Sequence, residues 1–332
     1  MNNTKPENTK PTHTSVMLKE VLENMSLPGK KVVVDCTLGL GGHAKEMLQL
    51  MPKNGKLIAF DLDNEHIKLA KKVLKDFADR VIYVNDNFDK LAENLQKLNI
   101  KSVDAILFDL GLASPHVDMG ERGFSFMKEG PLDMRFNVKQ ELTAEEVINK
   151  YSEKELLRIF REFGEEKRAR KLAFEICQAR KRKPFKTTNQ LADFVEKIIK
   201  RQGHIHPATR IFQALRIEVN HELDALRQSL LQTLDFLKPG GRLVVISYHS
   251  LEDRIVKNFI RDNCRDYVNL PDQMVTTHLI PKLTMIFKKP IEPGEEELKA
   301  NPRSRSAKLR VAEKSPDLAP CTRVPEAHRR VS

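Results

Sequence analysis

The chain has 332 residues, with 57 Lys plus Arg against 46 Asp plus Glu, a formal net charge of +11, and 40% hydrophobic content, enough for one large core or two smaller ones. No run approaches the roughly 18 consecutive apolar residues of a membrane span, residues 1–12 carry no visible targeting segment, and Cys36, Cys177, Cys264 and Cys321 lack the spacing of a disulfide framework or a cysteine zinc site, which fits a reducing cytosol. The positive excess points instead to a polyanionic partner.

Residues 31–37 read Lys-Val-Val-Val-Asp-Cys-Thr, an apolar run ending in an acid, as in a buried strand. Gly39, Leu40, Gly41, Gly42 and His43 then turn into a helix. Glycines let the backbone approach a ligand and the first N–H groups of a helix have no partner within it, so the pattern is that of a nucleotide-type cofactor site. A second apolar run, 56–63, carries Asp61 about 20 residues past the first glycine, where an acid commonly holds ribose hydroxyls. Apolar runs at 80–86 and 103–110, with amphipathic stretches between, predict a parallel sheet covered by helices.

From 111 to 137 the pattern is irregular for longer than an ordinary connection, a mark of functional loops. Residues 143–213 read as helices without strands. Their starts are marked by Thr143 with Glu146, Ser152 with Glu155 and Thr187 with Gln190, and Gly164 and Gly203 stand at helix ends. Leu223, Leu226, Leu230, Leu234 and Leu237 form one helical stripe over 221–237, after which Lys-Pro-Gly-Gly leads into a strand over 242–248. A helix over 251–263 and strands over 283–289 and 307–313 follow, the two strands pairing as an antiparallel edge hairpin. The predicted fold is therefore α/β, a Rossmann-like seven-stranded sheet of the class I S-adenosylmethionine-dependent methyltransferase type with an inserted all-helical domain. Residues 1–136 and 214–313 would form the sheet domain, 137–213 the helical insertion, and 314–332 a disordered tail.

The glycine loop alone leaves two cofactors open. Gly39, Gly41 and Ala44 satisfy the G-x-G-x-x-A spacing that binds the pyrophosphate of NAD. Asp35, placed to meet an ammonium group, and the lack of a second dinucleotide-binding half favour S-adenosylmethionine. In an open parallel sheet the ligand lies over the carboxyl ends of the strands, which selects residues 35–43, 61–63, 86–88, 109–116 and 248–250. His204 and His206 form H-x-H with no third ligand nearby in sequence, so no metal is expected. Basic residues cluster at Lys167, Arg168, Arg170, Lys171, Arg180, Lys181, Arg182 and Lys183, and again at Arg303, Arg305, Lys308 and Arg310, patterns suited to phosphate contacts. With no Trp and four Tyr, base stacking would fall to Phe, Tyr, His or Arg.

Seven blocks stand in order along 13–310: His-Thr-Ser-Val-Met at 13–17, Asp-Cys-Thr-Leu-Gly-Leu-Gly-Gly-His at 35–43, Asp-Leu-Gly-Leu-Ala-Ser-Pro at 109–115, Glu-Arg-Gly-Phe-Ser-Phe at 121–126, Gly-Pro-Leu-Asp-Met-Arg at 130–135, Ser-Tyr-His-Ser-Leu-Glu-Asp-Arg at 247–254 and Asn-Pro-Arg-Ser-Arg-Ser-Ala-Lys-Leu-Arg at 301–310. In them the chain resembles the ribosomal RNA small subunit methyltransferase H family, which uses S-adenosylmethionine to methylate the exocyclic N4 of a cytidine in 16S rRNA. The resemblance implies cofactor contacts from Gly41, Gly42, His43, Asp61, Phe88 and Asp109, with His116 standing where the family commonly has Gln, and a substrate presented by the 30S particle. Leu38, Leu40 and Tyr248 are further departures, with no expected effect on the chemistry.

The cytosine amine is a poor nucleophile because its lone pair is delocalised into the ring. Its site must align the amine with the sulfonium methyl, accept its N–H bonds and take up a proton away from water. Ser114 and Pro115 sit where other amino methyltransferases carry a Ser/Asp/Asn-Pro-Pro-aromatic loop, without the second proline and the aromatic. Ser114, Asp133 and His249 are the candidates for the reacting centre, with Arg135, Ser250 and the backbone carbonyls of 111–115 beside them. Each has a structural alternative: Asp133 with Arg135 as a loop-ordering ion pair, His249 bonding the strand end, Ser250 capping a helix that begins at Leu251. His13 and Thr14 either close over the cofactor or begin the fold. Two other functions remain open, a nicotinamide oxidoreductase resting on the glycine spacing with Asp61, and a nonenzymatic RNA-binding assembly factor.

Overall fold

A computed structural model describes residues 15–112, 120–201, 203, 206–269 and 276–316. Its strands are β1 (Val32–Asp35), β2 (Lys56–Phe60), β3 (Val81–Val84), β4 (Val103–Asp109), β5 (Leu237–Ser247), β6 (Tyr267–Asn269), β7 (Thr276–His278), β8 (Leu283–Met285) and β9 (Lys308–Lys314). Seven of them form one sheet in the order β3-β2-β1-β4-β5-β9-β8. The pairs from β3 through β5 are parallel, and β9 lies antiparallel between β5 and β8, which is the edge hairpin expected from the sequence. β6 and β7 form a separate antiparallel ribbon that sequence reading did not anticipate.

Alternation along the strands divides their side chains between two cores. Val33, Leu57, Ala105 and Val244 pack with α1 (Leu18–Met25), α2 (Gly42–Leu50) and α3 (Asn64–Val73) on one face. Val34, Ile58, Ile106 and Val245 pack with α4 (Leu91–Lys97) on the other. The chain then leaves the sheet after β4 and makes α5 (Ala144–Lys150), α6 (Glu153–Glu162), α7 (Ala169–Arg182), α8 (Thr188–Ile198) and α9 (Ala208–Asn220). These share a third core built on Ile148, Leu156, Phe160, Leu172, Leu191 and Leu215, which also takes in Phe124, Leu132 and Met134 from the irregular stretch. The three start signals are realised as helix caps, Ser152 with Glu155 and Thr187 with Gln190 as full capping boxes.

α9 runs on to Asn220, past the expected end of the helices near 213. His221 then takes a left-handed conformation (φ 50°) and the chain enters α10 (Glu222–Phe236) without a loop. Leu226, Leu230 and Leu234 of the predicted stripe pack from α10 onto the α4 face of the sheet, whereas Leu223 joins Ile217 and Leu251 in a small separate cluster and Leu237 opens β5; α11 (Ser250–Asn263) lies beside α10. Gly164 follows directly on the end of α6, as expected, and the left-handed residue there is Glu165. A Cβ on Gly164 would stand 2.7 Å from the Phe160 carbonyl oxygen and 3.0 Å from that of Arg210, so its smallness lets α6 pack against α9. The last helix, α12 (Glu295–Ala300), precedes β9, which extends to Lys314; the predicted disordered tail lies, from residue 317, outside the described residues. Among the described residues no helix is long and apolar enough to cross a membrane.

The irregular stretch is held by its own backbone. Gly123 has φ +68°, and a Cβ there would come within 2.0 Å of the Pro131 carbonyl oxygen. Gly123→Ala is expected to lower stability by about 2 kcal/mol or more, from the left-handed conformation and the clash together. A melting temperature unchanged from the parent protein would contradict this packing of the loop.

Candidate active site

The carboxyl ends of β1, β2 and β4 bring Asp35, Asp61 and Asp109 to one edge of the sheet. Asp35 is fully buried. Its Oδ1 accepts the Thr37 amide at 3.0 Å, whereas Oδ2 is buried without a hydrogen-bond partner among the described residues. Burial, and then the negative charges of Asp109 and Asp61, push its pKa up to about 6 against the pull of the Thr37 amide and His43. A buried carboxylate with one bare oxygen suits a cation.

The glycine loop that follows is pinned at both ends. Asp61 accepts the Gly39 amide at 2.8 Å and the Asp63 amide at 2.8 Å, and the His66 ring lies 3.5 Å from it. Gly41 (φ +83°) caps α2 without a side-chain bond to its amides, and a Cβ on Gly42 would meet the Ser15 hydroxyl at 2.1 Å. The segment from Ser15 thus lies directly against the loop, while His13 and Thr14 fall outside the described residues.

Asp109 closes the group. Its Oδ1 accepts the Tyr248 hydroxyl at 2.8 Å, its Oδ2 lies 3.4 Å from His43 Nδ1, and its amide donates to the Thr37 hydroxyl at 2.6 Å. His43 is buried and also bonds the Val16 carbonyl at 3.0 Å. Burial lowers its pKa, but Asp109 and Asp35 outweigh this and leave it raised. Burial and the Asp109 charge push the Tyr248 phenol far above its ordinary range, so it remains a donor. Tyr248 is therefore part of the site's framework.

Beside this group runs a small cleft of about 60 Å³ lined by Thr37, Leu62, Asn87, Phe88, Leu110, Gly111, Phe136, Asn220, Glu222 and Glu252, among others. Phe88 stands edge-on to Phe108 at 5.6 Å. The far wall comes from the junction of α9 and α10, residues that the sequence analysis did not select. There the Arg216 Nε donates to Glu222 at 2.8 Å, and Asn220 bonds Met134 and Phe136, holding the irregular stretch over the cleft. Glu252 accepts the Tyr248 and His249 amides; although burial works to raise its pKa, His249, Arg216 and the Tyr248 amide hold it below the ordinary range.

Of the residues proposed for the reacting centre, Ser114 and His116 lie outside the described residues. Asp133 is occupied: Arg135 donates to both of its oxygens, at 2.9 and 2.7 Å, and burial notwithstanding this pair keeps its carboxyl below the usual range. His249 caps α11 in a box with Glu252, its Nε2 3.1 Å from Glu252 Oε1 though not aligned as a hydrogen bond. Ser250, a candidate near the target base with helix capping as its alternative, does neither among the described contacts: it donates to Glu165, which also pairs with Arg254 at 2.9 Å. His206 accepts the Ala208 amide on its Nδ1 at 3.2 Å, just before α9, and pairs with Glu196 at 3.4 Å; His204 lies outside the described residues.

A seven-stranded sheet in this order, with a glycine loop after β1 and acids at the ends of β1, β2 and β4, defines a class I methyltransferase. The sequence profile of the MraW methylase family matches residues 10–315, and the chain belongs to that family. It is 47% identical over 308 residues to the ribosomal RNA small subunit methyltransferase H of Halothermothrix orenii, covering 91% of this chain and 98% of that protein. The enzyme of the same name from Clostridioides difficile is 42% identical over the same share of both chains. The methyl donor of the class is S-adenosylmethionine, and the residues present fit it: the bare buried oxygen of Asp35 suits its ammonium, the glycine loop its close approach, and the apolar end of the cleft at Leu62 and Phe88 a flat purine.

Proposed function

We propose that the chain methylates the exocyclic N4 of a cytidine in 16S rRNA, taking the methyl group from S-adenosylmethionine, with the assembled 30S particle as substrate. The observation that carries this reading is the near full-length identity to enzymes named for small-subunit ribosomal RNA methylation. Bound in the site, the donor supplies an electrophilic methyl on a sulfonium. The chain would hold it by Gly41, Gly42 and His43 at the loop, by Asp61 at the ribose, by Phe88 and Asp109 at the adenine side and by His116. Ser114, Asp133 and His249 would then serve the target base by position, Asp133 and His249 through the loop and helix they fix. Incubating the protein with small subunits lacking the modification and mapping the digested rRNA by mass should reveal one new N4-methylcytidine; methyl on another base or none would refute the assignment.

Residues 137–213 would present the RNA. Lys167, Arg168, Arg170, Lys171, Lys181, Arg182, Lys183 and Lys186 are all exposed, and no ion pair engages them among the described residues. Arg180 differs: it donates to the Ile148 and Tyr151 carbonyls and belongs to the scaffold. Replacing Lys181, Arg182 and Lys183 together by Ala is expected to weaken RNA binding and to reduce the slope of log K against log salt by about 2, at roughly 0.7 for each lost phosphate contact on a single strand. An unchanged slope would place the RNA elsewhere.

A further inference from the structure

Methylating an amine leaves a proton to be removed, and the acids at the strand ends are poorly placed to take it. Both oxygens of Asp109 face donors, Asp61 accepts two backbone amides, and Asp35 does not line the cleft, its bare oxygen being the one fitted to the donor's ammonium; in the irregular stretch Asp133 is filled by Arg135. Five polar side chains line the cleft, Thr37, Asn87, Asn220, Glu222 and Glu252. The Thr37 hydroxyl accepts the Asp109 amide, and Asn87 is an amide and no base. Asn220 spends its oxygen on the Phe136 amide and its nitrogen on the Met134 and Arg216 carbonyls. Glu252 takes two backbone amides on Oε2, with the His249 ring against Oε1.

Glu222 alone is different. Its Oε1 accepts the Arg216 Nε at 2.8 Å, and its Oε2 has no partner among the described residues. The pair is nearly enclosed, each side chain 12% exposed. A carboxylate fixed by a guanidinium, with a second oxygen open to a cleft walled by Leu110, Phe136 and Leu226, matches what a cytosine amine requires: an acceptor for N–H in an apolar slot.

We propose that Glu222 is the acceptor for the target cytosine's exocyclic amine, and that the end of the cleft lined by Gly111, Phe136, Asn220 and Glu222 is the base pocket. This rests on the function proposed above. As the amine nitrogen gains its methyl carbon, the donor's sulfonium takes the electron pair of the broken C–S bond and becomes a neutral thioether. One N4 proton passes to Glu222 Oε2, leaving a neutral methylated base and a neutral carboxylic acid. The acid then returns its proton to water through the open cleft.

The test uses the full chain and small ribosomal subunits. In Glu222→Gln, methyl transfer is expected to fall about a hundredfold or more, while affinity for S-adenosylhomocysteine, measured by calorimetry, stays within about twofold of the parent. The loss should fall on kcat, with KM for the small subunit within about twofold of the parent, a split that a purely structural role would not produce. Because Glu222 also neutralises buried Arg216, a second variant, Arg216→Gln with Glu222→Gln, removes both charges and should lose the same activity with a folded melting profile. A parent-like rate in either variant overturns the proposal. A tenfold loss of S-adenosylhomocysteine affinity in Glu222→Gln also overturns it and assigns this end of the cleft to the adenine. The parent protein run alongside reports on the function itself: no N4-methylcytidine from the parent would defeat both readings, whereas loss in the variants alone supports this one.

Discussion

Asp35→Asn is expected to weaken S-adenosylmethionine binding about a hundredfold and, in the same variant, to stabilise the cofactor-free protein at pH 8. The two effects share one cause. Burial without full hydrogen bonding raises the Asp35 pKa to about 6 from an ordinary 3.8. A folded-state pKa above the unfolded one means that ionising the group opposes folding: the penalty is fully present above about pH 6 and disappears as pH falls toward 3.8. The gap corresponds to about 3 kcal/mol at most, which asparagine removes while still accepting the Thr37 amide. The ammonium of the cofactor would meanwhile lose its buried counter-charge, a loss of roughly 2–5 kcal/mol for a close pair. Denaturation midpoints at pH 8 without cofactor should rise in the variant, and calorimetry should show its weaker binding. Near pH 6 the parent should release a fraction of a proton on binding, detectable from buffers of different ionisation enthalpy, and the variant none. Equal affinities in the two proteins would remove Asp35 from the ammonium site.

Asp109→Ala should cost methyl transfer about a thousandfold in kcat/KM while leaving RNA affinity within a few-fold of the parent. The substitution strips a buried hydroxyl, Tyr248, and a buried ring, His43, of a shared partner, at about 1–3 kcal/mol for each donor left unpaired. Both flank the glycine loop, and small displacements there are amplified in rate because the reaction depends on alignment. The exposed basic residues of α7 belong to a separate core that Asp109 does not touch, so RNA should still bind. Filter binding and methyl incorporation on the same preparation separate the two. Retained methylation would contradict the placement of Asp109; loss of both activities would indicate a wider collapse of the fold than these contacts predict.

Much of this arrangement is written locally in the chain. Val-Val-Val-Asp and Leu-Ile-Ala-Phe are strands buried on both faces, and such runs leave little choice but a parallel sheet under helices. Caps are equally local, so Ser152 with Glu155 and Thr187 with Gln190 could be read directly. The acids and the glycine loop at the strand ends follow from the strand-end rule. The opposite wall does not: Arg216, Asn220 and Glu222 look like ordinary polar positions on amphipathic helices, and only their return across the sheet edge gives them meaning. The His249 cap was missed because its box uses an imidazole where serine is the usual residue, and Ser250 beside it offered the more familiar signal. The β6–β7 ribbon has strands too short to show a period.

The placing of the helical core between adjacent parallel strands also governs the order in which a growing chain can settle. β4 has its inner neighbour β1 as soon as it is made, but the edge that β5 will cover stays bare until everything through residue 247 has been synthesised. At 5–20 residues per second that interval is on the order of ten seconds. The intervening helices make contacts mainly among themselves and can fold during the wait. During translation the module would hang as a finished bead from an unfinished sheet, and nascent chains stalled near residue 230 should expose an open strand edge to chaperones.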